Sequence, residues 1–322
     1  MTPTSLRSHA FFGLAPGPKL IVLGAVHGNE TCGMRAIERV LAELDAGALR
    51  IVRGSVTFVP VTNPLAVQRA DRAGERNLNR RLRPSADPRD FEDRVANVLC
   101  PLLAAHDALL DLHSFHTAGE PFAMLGPADN PGPLEAFARA AEEEALALRL
   151  GPRRLVEGWL DAYAAGVASR VQRAQAQGDT LADTDPAYGI GTTEYMRSVG
   201  GIAITLECGS HDDPRSPEVG YRAIHHTLAQ LRLIDAPAPP AHGDIELLRL
   251  VEVTDRLAEG DRFDRAWASF DPVESGAPIA TRADGTRLCA PAEGFIVFPN
   301  PKAGPGTEWF YFARASERPL RR

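Results

Sequence analysis

The chain has only four cysteines, at positions 32, 100, 208 and 289, and no two of them form a CxxC pair. That spacing suggests neither a disulfide framework nor a thiolate zinc site, and the cysteines read as reduced, mostly buried small hydrophobes. A basic excess is missing as well. Lys and Arg number 35 against 42 Asp and Glu, for a formal charge of −7, so no nucleic-acid partner is expected. No stretch approaches the ~18 apolar residues of a membrane span, and the opening Met1-Thr2-Pro3-Thr4-Ser5-Leu6-Arg7-Ser8-His9 lacks the charged-then-apolar layout of a signal peptide. No membrane partner and a cytoplasmic location are the expectations.

What is present is ordinary globular material. Hydrophobic residues make up 44% and charged residues 24% of 322 positions, more than one hydrophobic core usually serves, so two domains are expected. Through the first two-thirds, apolar runs at 20–26, 55–61, 108–113 and 201–207 read as strands. The stretches 32–46, 90–105 and 133–147 carry apolar residues at helical spacing. The alternation predicts an α/β domain over 1–237 with a largely parallel sheet flanked by helices. A helical pattern at 221–233 closes it, and the Pro/Ala-rich stretch 235–243 reads as a linker. Short strand-like pieces at 246–254, 278–280, 287–289, 295–298 and 309–313 then predict a small all-β domain over 238–322.

Ligands of open α/β sheets bind beyond the carboxyl ends of strands, and His27, Asn63, His113 and Glu207 fall at or just after such ends. Gly24-Ala25-Val26-His27-Gly28-Asn29-Glu30 sets an imidazole and a carboxylate three residues apart where a strand gives way to a helix. On the first turn of a helix that spacing shares a face, and both residue types are zinc ligands. A polar turn is the plain alternative. Asp111-Leu112-His113 offers a third ligand, with His116 as competitor. Asn79 and Arg80 suit the grip of a planar carboxylate. Glu207, behind four apolar residues, has the burial that suits a general base; a buried salt bridge would look the same.

The segments GAVHGNE, NPLAV, NLNRR, DLHSF and GIAITLECG together resemble the succinylglutamate desuccinylase and aspartoacylase family, a branch of the zinc carboxypeptidase superfamily. The resemblance runs from about residue 20 to 210 and, less specifically, into the C-terminal region. It implies one zinc per chain held by His27, Glu30 and His113, Glu207 as the base that activates water, and Arg72 polarising the scissile carbonyl. It also implies Asn79 and Arg80 on the substrate's α-carboxylate, while Tyr311 is a candidate to reach the cleft from the C-terminal module. Two departures stand out. Asn77 replaces the usual aspartate that supports a zinc-bound histidine, and Ala73 replaces an aromatic residue after Arg72, which leaves Arg69 and Arg76 as competitors.

The implied activity is hydrolysis of a small N-acyl amino acid to an amino acid and a carboxylic acid. A metallocarboxypeptidase acting on short peptides is the neighbouring reading, and a non-catalytic metabolite-binding protein the reading from another class. A homo-oligomer is compatible with all three. Specificity is expected from a loop over 158–196, containing Arg170, Arg173, Tyr188, Glu194 and Tyr195, and from the turn His211-Asp212-Asp213.

Overall fold

A computed structural model describes residues 1–178 and 184–320. The chain order is β1 (His9–Phe12), β2 (Ala15–Leu23), α1 (Cys32–Asp45), β3 (Arg53–Val59), α2 (Pro64–Arg69), α3 (Phe91–Ala104), β4 (Ala108–Phe115), β5 (Phe122–Met124), α4 (Ala140–Ala147) and β6 (Arg154–Glu157). It continues through α5 (Trp159–Gln177), a 3-10 turn (Pro186–Gly189), α6 (Thr192–Ser198), β7 (Ile202–Ser210) and α7 (Ser216–Gln230). The remaining strands are β8 (Glu246–Asp255), β9 (Arg262–Phe263), β10 (Asp271–Val273), β11 (Pro278–Thr281), β12 (Arg287–Cys289), β13 (Gly294–Val297) and β14 (Glu308–Ala315).

Strand β2 shows why its sequence is a continuous apolar run. Leu20 and Val22 pack into one core with Ala36, Ile37 and Val40 of α1 and Ile224 and Leu228 of α7. Ile21 and Leu23 face the opposite way, into a core with Val95, Leu99 and Leu103 of α3. A strand covered on both faces needs apolar residues at every position. Helix α3 starts where Asp90 accepts a hydrogen bond from the Asp93 N–H, a cap worth about 1 kcal/mol.

Among the described residues, eleven strands form one sheet in the order β1-β3-β2-β4-β7-β5-β6-β8-β14-β13-β10, and β12-β11-β9 form a second. The center is parallel: β2 pairs with β3 and β4, and β4 with β7. The edge strand β1 runs antiparallel to β3, and the short β5 runs antiparallel to β7 but parallel to β6. Beyond the Pro-rich stretch, β8, β14, β13 and β10 continue this sheet, joined to it where β8 lies parallel to β6. This is the α/β architecture with C-terminal antiparallel strands that the sequence predicts. No described helix is long and apolar enough to cross a membrane.

Three readings change. The helix expected over 133–147 is present only as α4, because Phe137 is held against Asn130 in an antiparallel bridge and the Ala140 N–H is capped by Asp129. The loop expected over 158–196 contains α5 and α6 instead. Residues 159–177 are rich in Ala, Arg and Gln, which favour helix on propensity alone; residues 179–183 lie outside those described. Finally, Glu30 is not in the first turn of α1. It stands in a turn before Cys32, closed by a hydrogen bond from the Glu30 N–H to the His27 carbonyl at 3.2 Å, which gives the same proximity at i and i+3.

Candidate active site

Strand β2 ends at Leu23, and the chain turns sharply through Ala25, whose φ of 47° is left-handed, before reaching His27. The turn is pinned to the next connection: the N–H groups of Thr62 and Asn63 donate to the carbonyls of Gly24 and Ala25. Gly28 must lack a side chain, since a Cβ there would come within 2.0 Å of the Ala66 backbone. His113 lies within β4 rather than at its end, and Glu207 likewise within β7. The two are register partners on adjacent parallel strands. That pairing sets the carboxylate of Glu207 beside the imidazole of His113.

His27, Glu30 and His113 converge, each 1 or 2% exposed, with potential ligand atoms all within 4.8 Å of one another. His27 Nδ1 is 2.8 Å from Glu30 Oε1, and His113 Nδ1 is 2.9 Å from Glu30 Oε2. The outer ring nitrogens are supported from behind: His27 Nε2 lies 3.0 Å from Asn77 Oδ1, and His113 Nε2 lies 2.9 Å from Asp111 Oδ2. Two inward nitrogens, one carboxylate and a polar group behind each ring suit a divalent metal such as zinc. His116 is three residues beyond His113, and its Nε2 hydrogen-bonds the Pro299 carbonyl instead.

Burial governs the charges, and neighbours then divide the two histidines. His27 is pushed down to about 4 by burial and by Arg72, so it is neutral at neutral pH. Burial also opposes a charged His113, yet Asp111 and Glu30 outweigh it and hold that pKa well above the usual histidine value. Glu207 is raised to about 8 by burial and then by the charge of Glu30. Its Oε2 is buried without a partner among the described residues.

The three competing arginines separate by geometry. Arg72 is half exposed, and its Nη1 is 3.0 Å from Glu30 Oε1. Arg69 is bound to the Gly74 carbonyl, and Arg76 is locked between Asp90 and Asp93. Only Arg72 of the three meets the histidine–glutamate group.

Asn79, Arg80 and Tyr311 line the same cleft as the triad. Asn79 Oδ1 accepts the Thr192 N–H at 2.8 Å, and Gly191 leaves it room, because a Cβ there would lie 2.0 Å from that oxygen and displace the amide. Arg80 is buried, its guanidinium 4.9 Å from the ring center of Trp159 and 4.7 Å from that of Tyr163. Its Nη2 is 3.3 Å from Glu308 Oε2. The Tyr311 hydroxyl is buried with no partner among the described residues.

The residues expected to set specificity divide. Arg170 and Arg173 both bind Asp255. Tyr188 accepts the Arg81 N–H through its carbonyl, and Asp213 pairs with exposed Arg215. Tyr195 packs with the apolar cluster around α3 and is absent from the cleft lining. Glu194 and His211 do line the cleft. Trp159, Phe298, Asn300 and Glu308 line it too, and none of the four is individually marked by the sequence as a site residue. Asp111 did carry one: positions i and i+2 of a strand share a face, so Asp-Leu-His sets a carboxylate beside the imidazole.

A mixed sheet whose central strands bring a histidine–glutamate group able to hold a metal ion, a carboxylate oxygen without a partner among the described residues and several arginines into one cleft is the setting of a hydrolytic enzyme. Residues 16–218 match the family model of the succinylglutamate desuccinylase/aspartoacylase catalytic domain. The chain belongs to that family of deacylases. Solved structures with the same fold include succinylglutamate desuccinylase/aspartoacylase from Rhodobacter sphaeroides, with a TM-score of 0.71 and 18% identity over 97% of this chain and 90% of that one. The product-bound ectoine utilization protein EutE (DoeB) from Ruegeria pomeroyi has a TM-score of 0.68 and 19% identity over 93% and 86%. Succinylglutamate desuccinylase from Vibrio cholerae has a TM-score of 0.68 and 18% identity over 94% and 82%. No curated protein matches the sequence.

Proposed function

We propose that this protein is a cytoplasmic zinc-dependent amidohydrolase that cleaves the amide bond of an N-acyl amino acid. Glu207 carries this reading: its Oε2 is buried without a partner among the described residues, beside His113 and within the cleft. One zinc per chain would be held by His27, Glu30 and His113, and when bound it supplies the Lewis acidity that activates water and polarises a carbonyl.

The remaining roles follow from the side chains. Arg80 and Asn79 hold the α-carboxylate, with Arg80 kept in place by the faces of Trp159 and Tyr163. Tyr311 offers the bound substrate its hydroxyl, which has no partner among the described residues. Arg72, cationic and next to Glu30, stabilises negative charge growing on the amide oxygen. Glu207 takes a proton from the attacking water and gives it to the amide nitrogen as the C–N bond breaks. The water oxygen ends on the carboxylic acid, and the amino acid leaves as the amine. The segment 238–322 acts as the second unit of this enzyme, supplying one wall of the cleft through Phe298, Asn300, Glu308 and Tyr311.

Chelator-treated protein should release no amine from a panel of N-acyl amino acids, and added zinc should restore release; a zinc-loaded protein inert on the whole panel overturns the reading. Arg80→Lys should raise KM about tenfold, with less effect on kcat, because the two-pronged guanidinium contact is lost. An unchanged KM removes Arg80 from carboxylate binding.

A further inference from the structure

The cleft has two ends, joined by a row of aromatic rings. Arg80 stands over Trp159 at one end. Trp159 lies beside Tyr311 with ring centers 5.4 Å apart, and Tyr311 meets Phe298 at 6.2 Å. Next to Phe298, the Pro299 carbonyl binds His116 Nε2 at 3.0 Å. A carbonyl can only accept, so Nε2 carries the ring hydrogen. His116 stands at the rim, yet desolvation in the cleft still holds its pKa below the usual histidine value. The ring is therefore neutral, and Nδ1 is a hydrogen-bond acceptor with no protein partner among the described residues.

Two further groups complete this end. His211 is fixed through Nδ1 to Ser114 Oγ at 2.8 Å, its ring center 6.4 Å from that of His116. Asn300 accepts the Lys302 N–H through Oδ1 at 3.0 Å, which leaves its Nδ2 as a donor. Arg72 is the cation that acts on both histidines, and it is already paired with Glu30. The far end thus offers a neutral acceptor, His116 Nδ1, and a neutral donor, Asn300 Nδ2.

We infer that this end is the acyl subsite and that it selects an acyl group bearing a hydroxyl, which donates to His116 Nδ1 and accepts from Asn300 Nδ2. A hydroxyl is the small group that does both. A plain alkyl acyl group would leave these polar atoms facing carbon once water is displaced. A carboxylate-tipped acyl group would set its lone pairs against the lone pair of Nδ1. The inference rests on the N-acyl amino acid reading above.

The test compares N-glycolyl, N-propionyl, N-succinyl and N-glycyl derivatives of the amino acids in the panel, using zinc-loaded protein. Glycolyl and propionyl have nearly the same shape and differ in hydroxyl against methyl. On the preferred amino acid, glycolyl should exceed propionyl in kcat/KM by about tenfold, the factor that one ordinary hydrogen bond supplies. His116→Leu should bring that ratio close to unity, and Asn300→Leu should lower it independently should the first variant fail to fold. Propionyl equal to or faster than glycolyl, or succinyl or glycyl fastest of the four, overturns the subsite while leaving the hydrolase intact. Hydrolysis of none overturns both.

Discussion

Glu207→Ala should lower kcat on an N-acyl amino acid by about 10²- to 10⁴-fold, the range that a positioned general base contributes. Zinc content should stay that of the wild type, because the proposed ligand set is His27, Glu30 and His113. Retained turnover removes Glu207 from the base role, and turnover lost together with zinc makes it part of the metal site. A second variant reads the same carboxyl through stability. Burial raises its pKa from 4.5 to about 8, so folding favours the protonated form. The stability this contributes is complete below about pH 4.5 and is lost as pH rises through about 8. Glu207→Gln keeps a neutral side chain at every pH. In chelator-treated protein it should melt above the wild type at pH 9 by about 2–4 °C or more, with the gap closing in acid. With zinc loaded the gap should shrink, since a nearby cation draws the carboxyl pKa down. Equal melting at pH 9 without metal shows that Glu207 is not desolvated as its position requires.

The parallel center of the sheet was legible because β2, β4 and β7 are buried on both faces, which leaves an unbroken apolar run in the sequence. Strand ends were less so. The run 108–113 stops at a histidine, yet β4 continues through Ser114 and Phe115, since hydrogen bonding to β7 does not depend on side-chain polarity. The helix α5 was missed because its pattern of Ala, Arg and Gln has no clean apolar stripe, and tertiary contacts decide its faces. At the site, residues with local grammar could be read: His27 with Glu30, His113 in Asp-Leu-His, Asn79 with Arg80. Glu308 and Trp159 could not, because their meeting at Arg80 joins a strand start and a helix start that lie 149 positions apart in the chain. Arg170 and Arg173 show the converse. Nothing local distinguishes a guanidinium facing substrate from one facing Asp255.

Asn77→Asp should tighten zinc binding by about 10- to 100-fold, the usual worth of a partner that orients and polarises a ligand histidine. Both proposed ligand histidines have a polar group behind them, but only His113 has a carboxylate, Asp111. Asn77 Oδ1 fixes the ring of His27 and also accepts the Asn79 N–H at 2.9 Å. An aspartate keeps both contacts and adds negative charge, which strengthens His27 Nδ1 as a donor to metal. The same charge strengthens that nitrogen as a base. His27 is now neutral down to about pH 4, so zinc meets no proton there at neutral pH. With aspartate the His27 pKa rises, and protons begin to compete with zinc as the pH falls. The gain in affinity should therefore be greatest near pH 8 and shrink toward pH 5. Titration with a competing chelator at both values tests this. An affinity unchanged at pH 8 means that orientation by the amide is all that His27 needs, and that the carboxylate behind His113 already sets the basicity of the site.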